Sequence, residues 1–176
     1  MRGFGDSQAI SVSTPAVPSA VFAPSQPEGF QIPDYPCDWY SYPLTFVNLA
    51  VATTRYTVPG VPQTQQLQID AASDFYWTAL TMIAEVGTNT VALTYGTVVV
   101  PIVSILVNDG GSNRNLMQNP VPIATVAGDG RWPHYLQHPR LFKKNSTIQV
   151  TLANLDATNT YNISLNFEGF KQYGVN

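Results

Sequence analysis

Strict alternation near the C-terminus constrains this chain more than any other feature. Ile148, Val150 and Leu152 alternate with Thr147, Gln149 and Thr151, and Tyr161, Ile163, Leu165 and Phe167 alternate with Asn162, Ser164, Asn166 and Glu168. A period of two, with β-branched and aromatic side chains on one face, is the pattern of a half-buried antiparallel strand. The polar run Asn154-Leu155-Asp156-Ala157-Thr158-Asn159 between them predicts a hairpin loop. Each apolar face needs a second layer to cover it, so these strands call for a packed pair of sheets.

The rest of the chain reads the same way. Residues 44–52 and 63–70 are expected strands separated by a turn at Pro59-Gly60. Over 75–86 both alternating faces are apolar, with Phe75, Trp77, Ala79 and Ile83 on one and Tyr76, Leu80, Met82 and Ala84 on the other. Residues 97–107 repeat this, with Pro101 interrupting the donor row and so suggesting an edge or a bulge. A strand that is apolar on both faces needs cover outside the sandwich, from long loops or from another chain. The stretch 108–142, rich in Gly and Pro, reads as loops with short strands at 114–118 and 121–126, and its His134 and His138 as loop residues packed beside Trp132 and Tyr135. Seven to nine strands and no convincing amphipathic helix predict an all-β fold. The expected form is an antiparallel two-sheet sandwich of jelly-roll type, with an immunoglobulin-like arrangement second.

Residues 1–38 differ from the sandwich domain expected over 39–176. Six of the 14 prolines fall there, removing backbone donors and biasing the chain towards an extended arm. Ile10 and Val12, then Val17, Val21, Phe22, Phe30, Ile32 and Tyr35, give this arm more apolar side chains than a solvated linker carries. The last six, with Trp39 and Tyr40, form the expected partner-binding set, lying on a neighbouring subunit or folding back on their own domain. A disordered tail is the alternative reading.

Composition narrows the function. Charged residues are 11% of the chain, against roughly 25% in an average soluble domain. With a net charge of −3 and scattered basic residues, of which only Lys143-Lys144 are adjacent, no nucleic-acid partner is expected. No secretory start and no apolar run long enough to span a bilayer are visible, so cytoplasmic synthesis without a membrane partner is expected. The sequons at Asn145 and Asn162 then carry no meaning beyond local polarity.

Chemistry is hard to find. The lone Cys37 excludes an intrachain disulfide and has no histidine neighbour in sequence to activate it. His134 and His138 have metal-ligand spacing only on a helix, which Pro133 and Pro139 oppose, so no metal or other cofactor is expected. No nucleophile elbow, zinc-protease or phosphate-loop motif occurs, and the carboxylates Asp70, Asp74, Glu85, Asp109 and Glu168 form no specific pair. The chain therefore reads as a non-enzymatic protein. Exposed aromatics in two clusters, Trp39, Tyr40 and Tyr42 and then Trp132 and Tyr135, could alternatively form a sugar-stacking platform.

One further pattern runs from Arg114-Asn115-Leu116-Met117-Gln118-Asn119-Pro120-Val121-Pro122 through Ala127-Gly128-Asp129-Gly130 and Pro139-Arg140-Leu141-Phe142. It continues with Asn145-Ser146-Thr147-Ile148-Gln149-Val150, Asn154 and the closing Leu165-Asn166-Phe167-Glu168-Gly169-Phe170-Lys171. It resembles small virion structural proteins of tailed bacteriophages, over roughly residues 75–173. The resemblance implies a virion-located capsid decoration (cement) subunit, or else a neck or collar component. Its partners would be the major capsid protein or other virion subunits, together with further copies of itself. It also implies left-handed turn positions at Gly128 and Gly130 and a loop-opening role for Asn154.

Overall fold

The computed structural model describes residues 37–87, 99–129 and 131–174. Nine strands build it: β1 (Cys37–Leu49), β2 (Gln63–Gln68), β3 (Ser73–Val86), β4 (Val103–Asp109), β5 (Arg114–Asn115), β6 (Val121–Pro122), β7 (His134–Phe142), β8 (Thr147–Asn154) and β9 (Tyr161–Tyr173). They form two antiparallel sheets, one ordered β1-β9-β3-β7 and the other β2-β8-β4-β5, with β6 also on β4. The all-β sandwich expected from the sequence is therefore the fold observed. The six partner-set residues Val17, Val21, Phe22, Phe30, Ile32 and Tyr35 lie outside the described residues; β1 begins at Cys37 and contains Trp39 and Tyr40.

The pairing is nested. The first strand pairs with the last, β2 with β8, β3 with β7, and β4 with β5 and β6. From β1 to β4 and again from β6 to β9 successive strands change sheets, so one long antiparallel ribbon, turning near residues 110–113, is wrapped into two layers. Between the layers lies one core built from alternate residues of both sheets. Phe46, Phe75, Phe142 and Phe167 meet Ile105, Ile148 and Leu152 there, all fully buried.

The two C-terminal strands follow the alternation in the sequence, with Ile148, Val150, Leu152, Tyr161, Ile163, Leu165 and Phe167 all buried. β3 shows why its sequence looked apolar on both faces. Its register slips between Trp77 and Ala79 against both β7 and β9. Thr78 is thus an extra residue, and the inward set changes phase from Phe75 and Trp77 to Leu80, Met82 and Ala84. A bulge shifts which face each side chain takes. The Trp77 indole N–H donates to Ala79 O at 2.7 Å and the Thr78 hydroxyl to Glu168 O at 3.0 Å, so the irregularity leaves both groups satisfied. Opposite Trp77 sits Gly169, where an added Cβ would lie 1.9 Å from Tyr76 O. Only glycine allows that approach.

Three expectations need correction. Residues 134–142 are a nine-residue edge strand, so His134 and His138 sit on β7 rather than in a loop. Its register against β3 jumps from Arg140 to Tyr135, and the intervening 136–139, including Pro139, interrupt the pairing and hide the alternation. β4 begins only at Val103, between β8 and β5 with β6, so Pro101 precedes it and marks neither an edge nor a bulge within it. Gly128 does not have a positive φ; its Cβ would instead fall 1.8 Å from Trp132 O where this loop crosses β3. Gly130 is outside the described residues.

Candidate functional site

The sandwich has two unlike ends. At the first end β1 starts, β9 finishes and the segment before Cys37 joins the domain. Three ion pairs cluster there: Lys171–Asp70, Lys143–Asp74 at 2.8 Å and Arg140–Asp109 at 3.5 Å. Lys171 is buried, and its ammonium stands 3.2 Å from the centre of the Tyr40 ring and 5.1 Å from that of Tyr42. Burial opposes the charge, but hydrogen bonding to Asp70 and the neighbouring tyrosines hold its pKa above the ordinary lysine value. Tyr42 is itself buried, with its hydroxyl accepting from Asp70 N at 3.3 Å; burial raises its pKa.

Trp39 points the other way, outward, and is 54% exposed. It faces Phe170 across the β1–β9 ladder, edge to face with centroids 5.0 Å apart. Phe170 stands opposite Tyr76, and Tyr76 opposite Leu141, so an apolar row crosses all four strands of the first sheet. Of the three rings expected to share one stacking surface, Trp39 is the most exposed, with Tyr40 39% exposed. Tyr42 is buried and Tyr40 is capped by Lys171. Trp132 and Tyr135 are both exposed, before and within β7.

A cleft of about 430 Å³ opens at this same end, lined by Asp109, Ser112, Lys143, Lys144 and Ser146 among others. Two of its charged side chains, Asp109 and Lys143, are already engaged. Asp109 accepts from the Ser112 hydroxyl at 2.7 Å, from Gly111 N at 3.0 Å and from Arg140. Burial works against its charge, yet these donors outweigh burial and hold its pKa below the ordinary value. Lys143 is bound to Asp74, which also accepts from Lys144 N at 2.9 Å. The arrangement ties β3, β4 and β7 together. Among the described residues no group of three or more His, Cys, Asp or Glu side chains could hold a metal ion.

The opposite end is apolar. Of the twelve exposed large hydrophobic residues among those described, seven gather there: Val47, Val51, Tyr56, Val58, Val61, Val86 and Val100. They come from the end of β1, the loop between β1 and β2, the end of β3 and the approach to β4. Val61 and Val100 are 73% and 75% exposed. Arg55 is a charged side chain beside them, and its guanidinium lies over the Tyr56 ring at 5.0 Å; Glu85 precedes Val86. Tyr56 has φ of 64°, a left-handed conformation that bulky residues rarely take.

Buried polar groups fix this end. Asn154, at the end of β8, donates to Leu49 O and Asn159 O and accepts from Asp156 N. Asp156 accepts from the Tyr161 hydroxyl at 2.7 Å, Thr158 N at 2.9 Å and the Asn159 amide at 3.0 Å. Those donors lower its pKa to about 2, the Tyr161 hydroxyl contributing most. Backbone bonds from Ala52 N to Asp156 O, Tyr56 N to Leu155 O, Gly60 N to Asn154 O and Leu155 N to Ile102 O anchor the valine-bearing loops to this hub. The sequence reading singled out neither the valines nor this hub as functional. The available signal was valine placed outside strands, beside Pro59-Gly60, Pro62 and Pro101.

The chain matches no family model, no characterised protein and no solved structure in comparisons with each. The class that the fold defines is a two-sheet antiparallel β-sandwich.

Proposed function

We propose that this chain is a structural subunit that works by binding other protein chains, and specifically a capsid decoration subunit of a tailed-bacteriophage virion. The observation that carries the reading is the division of the surface. Apolar side chains are exposed in two groups, the valine end and the Trp39 row, on a molecule with few charges to keep it apart from others. Apolar patches beyond a few hundred Å² mark interaction surfaces. The sequence pattern over 75–173 supplies the virion context. Nested strand pairing supports the jelly-roll form of sandwich, with β5 and β6 acting as one interrupted strand.

Binding in this role is mechanical: pockets take apolar anchors, and symmetric repetition of weak contacts produces tight overall attachment. Quantitative mass spectrometry of purified particles tests the placement. A decoration subunit occurs in fixed proportion to the major capsid protein, whereas a neck or collar component occurs as a single ring. Absence from the particle would remove the virion reading altogether. A glycan array probed with the wild type and with Trp39→Ala tests the remaining alternative, and binding lost in the variant would replace the decoration role with a carbohydrate-binding one.

A further inference from the structure

We propose that the apolar residues just before β1, Phe30, Ile32 and Tyr35, dock on the valine end of a neighbouring copy, joining subunits head to tail. This inference rests on the assembly reading above and names the partner surface within it. The valine end gathers exposed apolar side chains, carries Arg55 beside them and displays Tyr56 from a strained backbone position. Strain of that kind persists where surrounding structure holds it and clusters at binding sites. Here the hub at Asp156 does the holding, through the bond from Tyr56 N to Leu155 O.

The occupant follows from chain geometry. Thirty-six residues precede β1, and they join the sandwich at the end opposite the valines. Fully extended they would reach about 120 Å, while the 13 residues of β9 span about 40 Å. To reach the valine end of its own domain, the chain would have to string its last dozen or so residues along the sandwich. That would leave Phe30, Ile32 and Tyr35 on the way and outside the site. Placed head to tail, the charged end of one copy faces the valine end of the next, and the same three residues arrive there directly. Head-to-tail contacts are heterologous, so they close into rings or run on as chains.

The test uses the full-length protein in two variants. Val61→Asp with Val100→Asp spoils the receiving end at positions exposed enough to leave folding intact, which circular dichroism and the melting temperature check. Phe30→Ser with Tyr35→Ser spoils the donor. Sedimentation velocity across concentration is expected to show oligomers for the wild type and association weakened about tenfold or more for each variant alone. A mixture of the two variants should form one-to-one dimers, since one supplies the donor and the other the receiver. Association that survives the valine substitutions would overturn the docking site while leaving the assembly reading standing. Association lost with the valine variant but untouched by the Phe30 and Tyr35 changes would overturn the donor and indicate tip-to-tip contact. A wild type that stays monomeric while still binding particles overturns the head-to-tail contact alone. One that neither self-associates nor binds particles overturns both readings.

Discussion

Replacing Asp156 by Asn isolates the buried charge that fixes the valine end. The carboxylate accepts three hydrogen bonds, from Tyr161, Thr158 and Asn159. An amide of the same shape keeps the bond from Thr158 N but turns an NH2 group towards the Asn159 amide, which is itself a donor. Its pKa of about 2, against an ordinary 3.8, corresponds to roughly 2 kcal/mol of stabilisation. Because the folded pKa is depressed, that contribution is complete above about pH 4 and disappears as pH falls through 2. Asp156→Asn should therefore lower stability by roughly 2 kcal/mol at pH 7, moving the urea midpoint down by about 1 M. The gap between variant and wild type should narrow steadily from pH 4 to pH 2. Tryptophan fluorescence in urea at pH 7, 4 and 2.5 measures it. A variant within 0.5 kcal/mol of wild type at pH 7 (roughly the error of such comparisons), or a gap that does not change with pH, would refute the assignment.

Two further outcomes follow from the packing. Gly169→Ala forces a Cβ to within 1.9 Å of Tyr76 O beside the β3 bulge, so it should cost about 3 kcal/mol or more and lower Tm by roughly 10 °C in a thermal melt; an unchanged Tm would show that the strands can part there cheaply. Asp70→Asn strands the buried Lys171 ammonium and should cost about 2–3 kcal/mol, whereas Lys171→Met removes the buried charge and should stay within about 1 kcal/mol of wild type. Since the Lys171 pKa is raised, its contribution is full below the ordinary lysine value and is lost as pH rises through the folded one. Wild type should therefore weaken more steeply than Lys171→Met in alkaline urea titrations, since Lys143, Tyr42 and Tyr161, whose pKa values are also raised, titrate in both.

How much of this was legible in the sequence depended on whether a strand kept its period. β8 and β9 are interior strands paired on both sides without a bulge on their inner half, and their alternation gave their buried faces residue by residue. β3 is equally central, but the extra Thr78 changes its phase midway, so a single period assigned Ile83 and Leu80 to the wrong companions. β7 vanished into an expected loop because Pro139 and the bulge over 136–139 break its pattern. Those same features suit an edge strand, where an irregular, proline-bearing border discourages unwanted pairing. In β4 the apolar run was real but began too early, since Val100 and Ile102 continue it through residues that form no ladder. Trp39 was legible as an exposed aromatic next to the segment before β1. The valine end was not, because Val51, Val61, Val86 and Val100 come from separate parts of the chain and meet only when the ribbon is wrapped.

That wrapping also bears on why contacts between copies would form at the ends of the sandwich rather than on the flank made by the second sheet. The outer face of that sheet is mostly polar, with Leu106 set between Ser104 and Asn108, and several of its groups serve one another: Thr64 bonds Thr151 at 2.8 Å and Asn108 bonds Asn115 at 2.8 Å, each across a strand pair. A partner docking there would have to compete with bonds already made. The ends differ because strands stop there and their connections must turn. At one end the turns are held by ion pairs, which leave Trp39 and its row beside the incoming segment. At the other the turns are held from beneath by Asn154 and Asp156, which frees the outward positions for valine. A subunit whose two ends are this unlike has a direction. On the proposed reading, that direction makes a head-to-tail contact the way to bury the exposed valines, with the Arg55 guanidinium held over the Tyr56 ring.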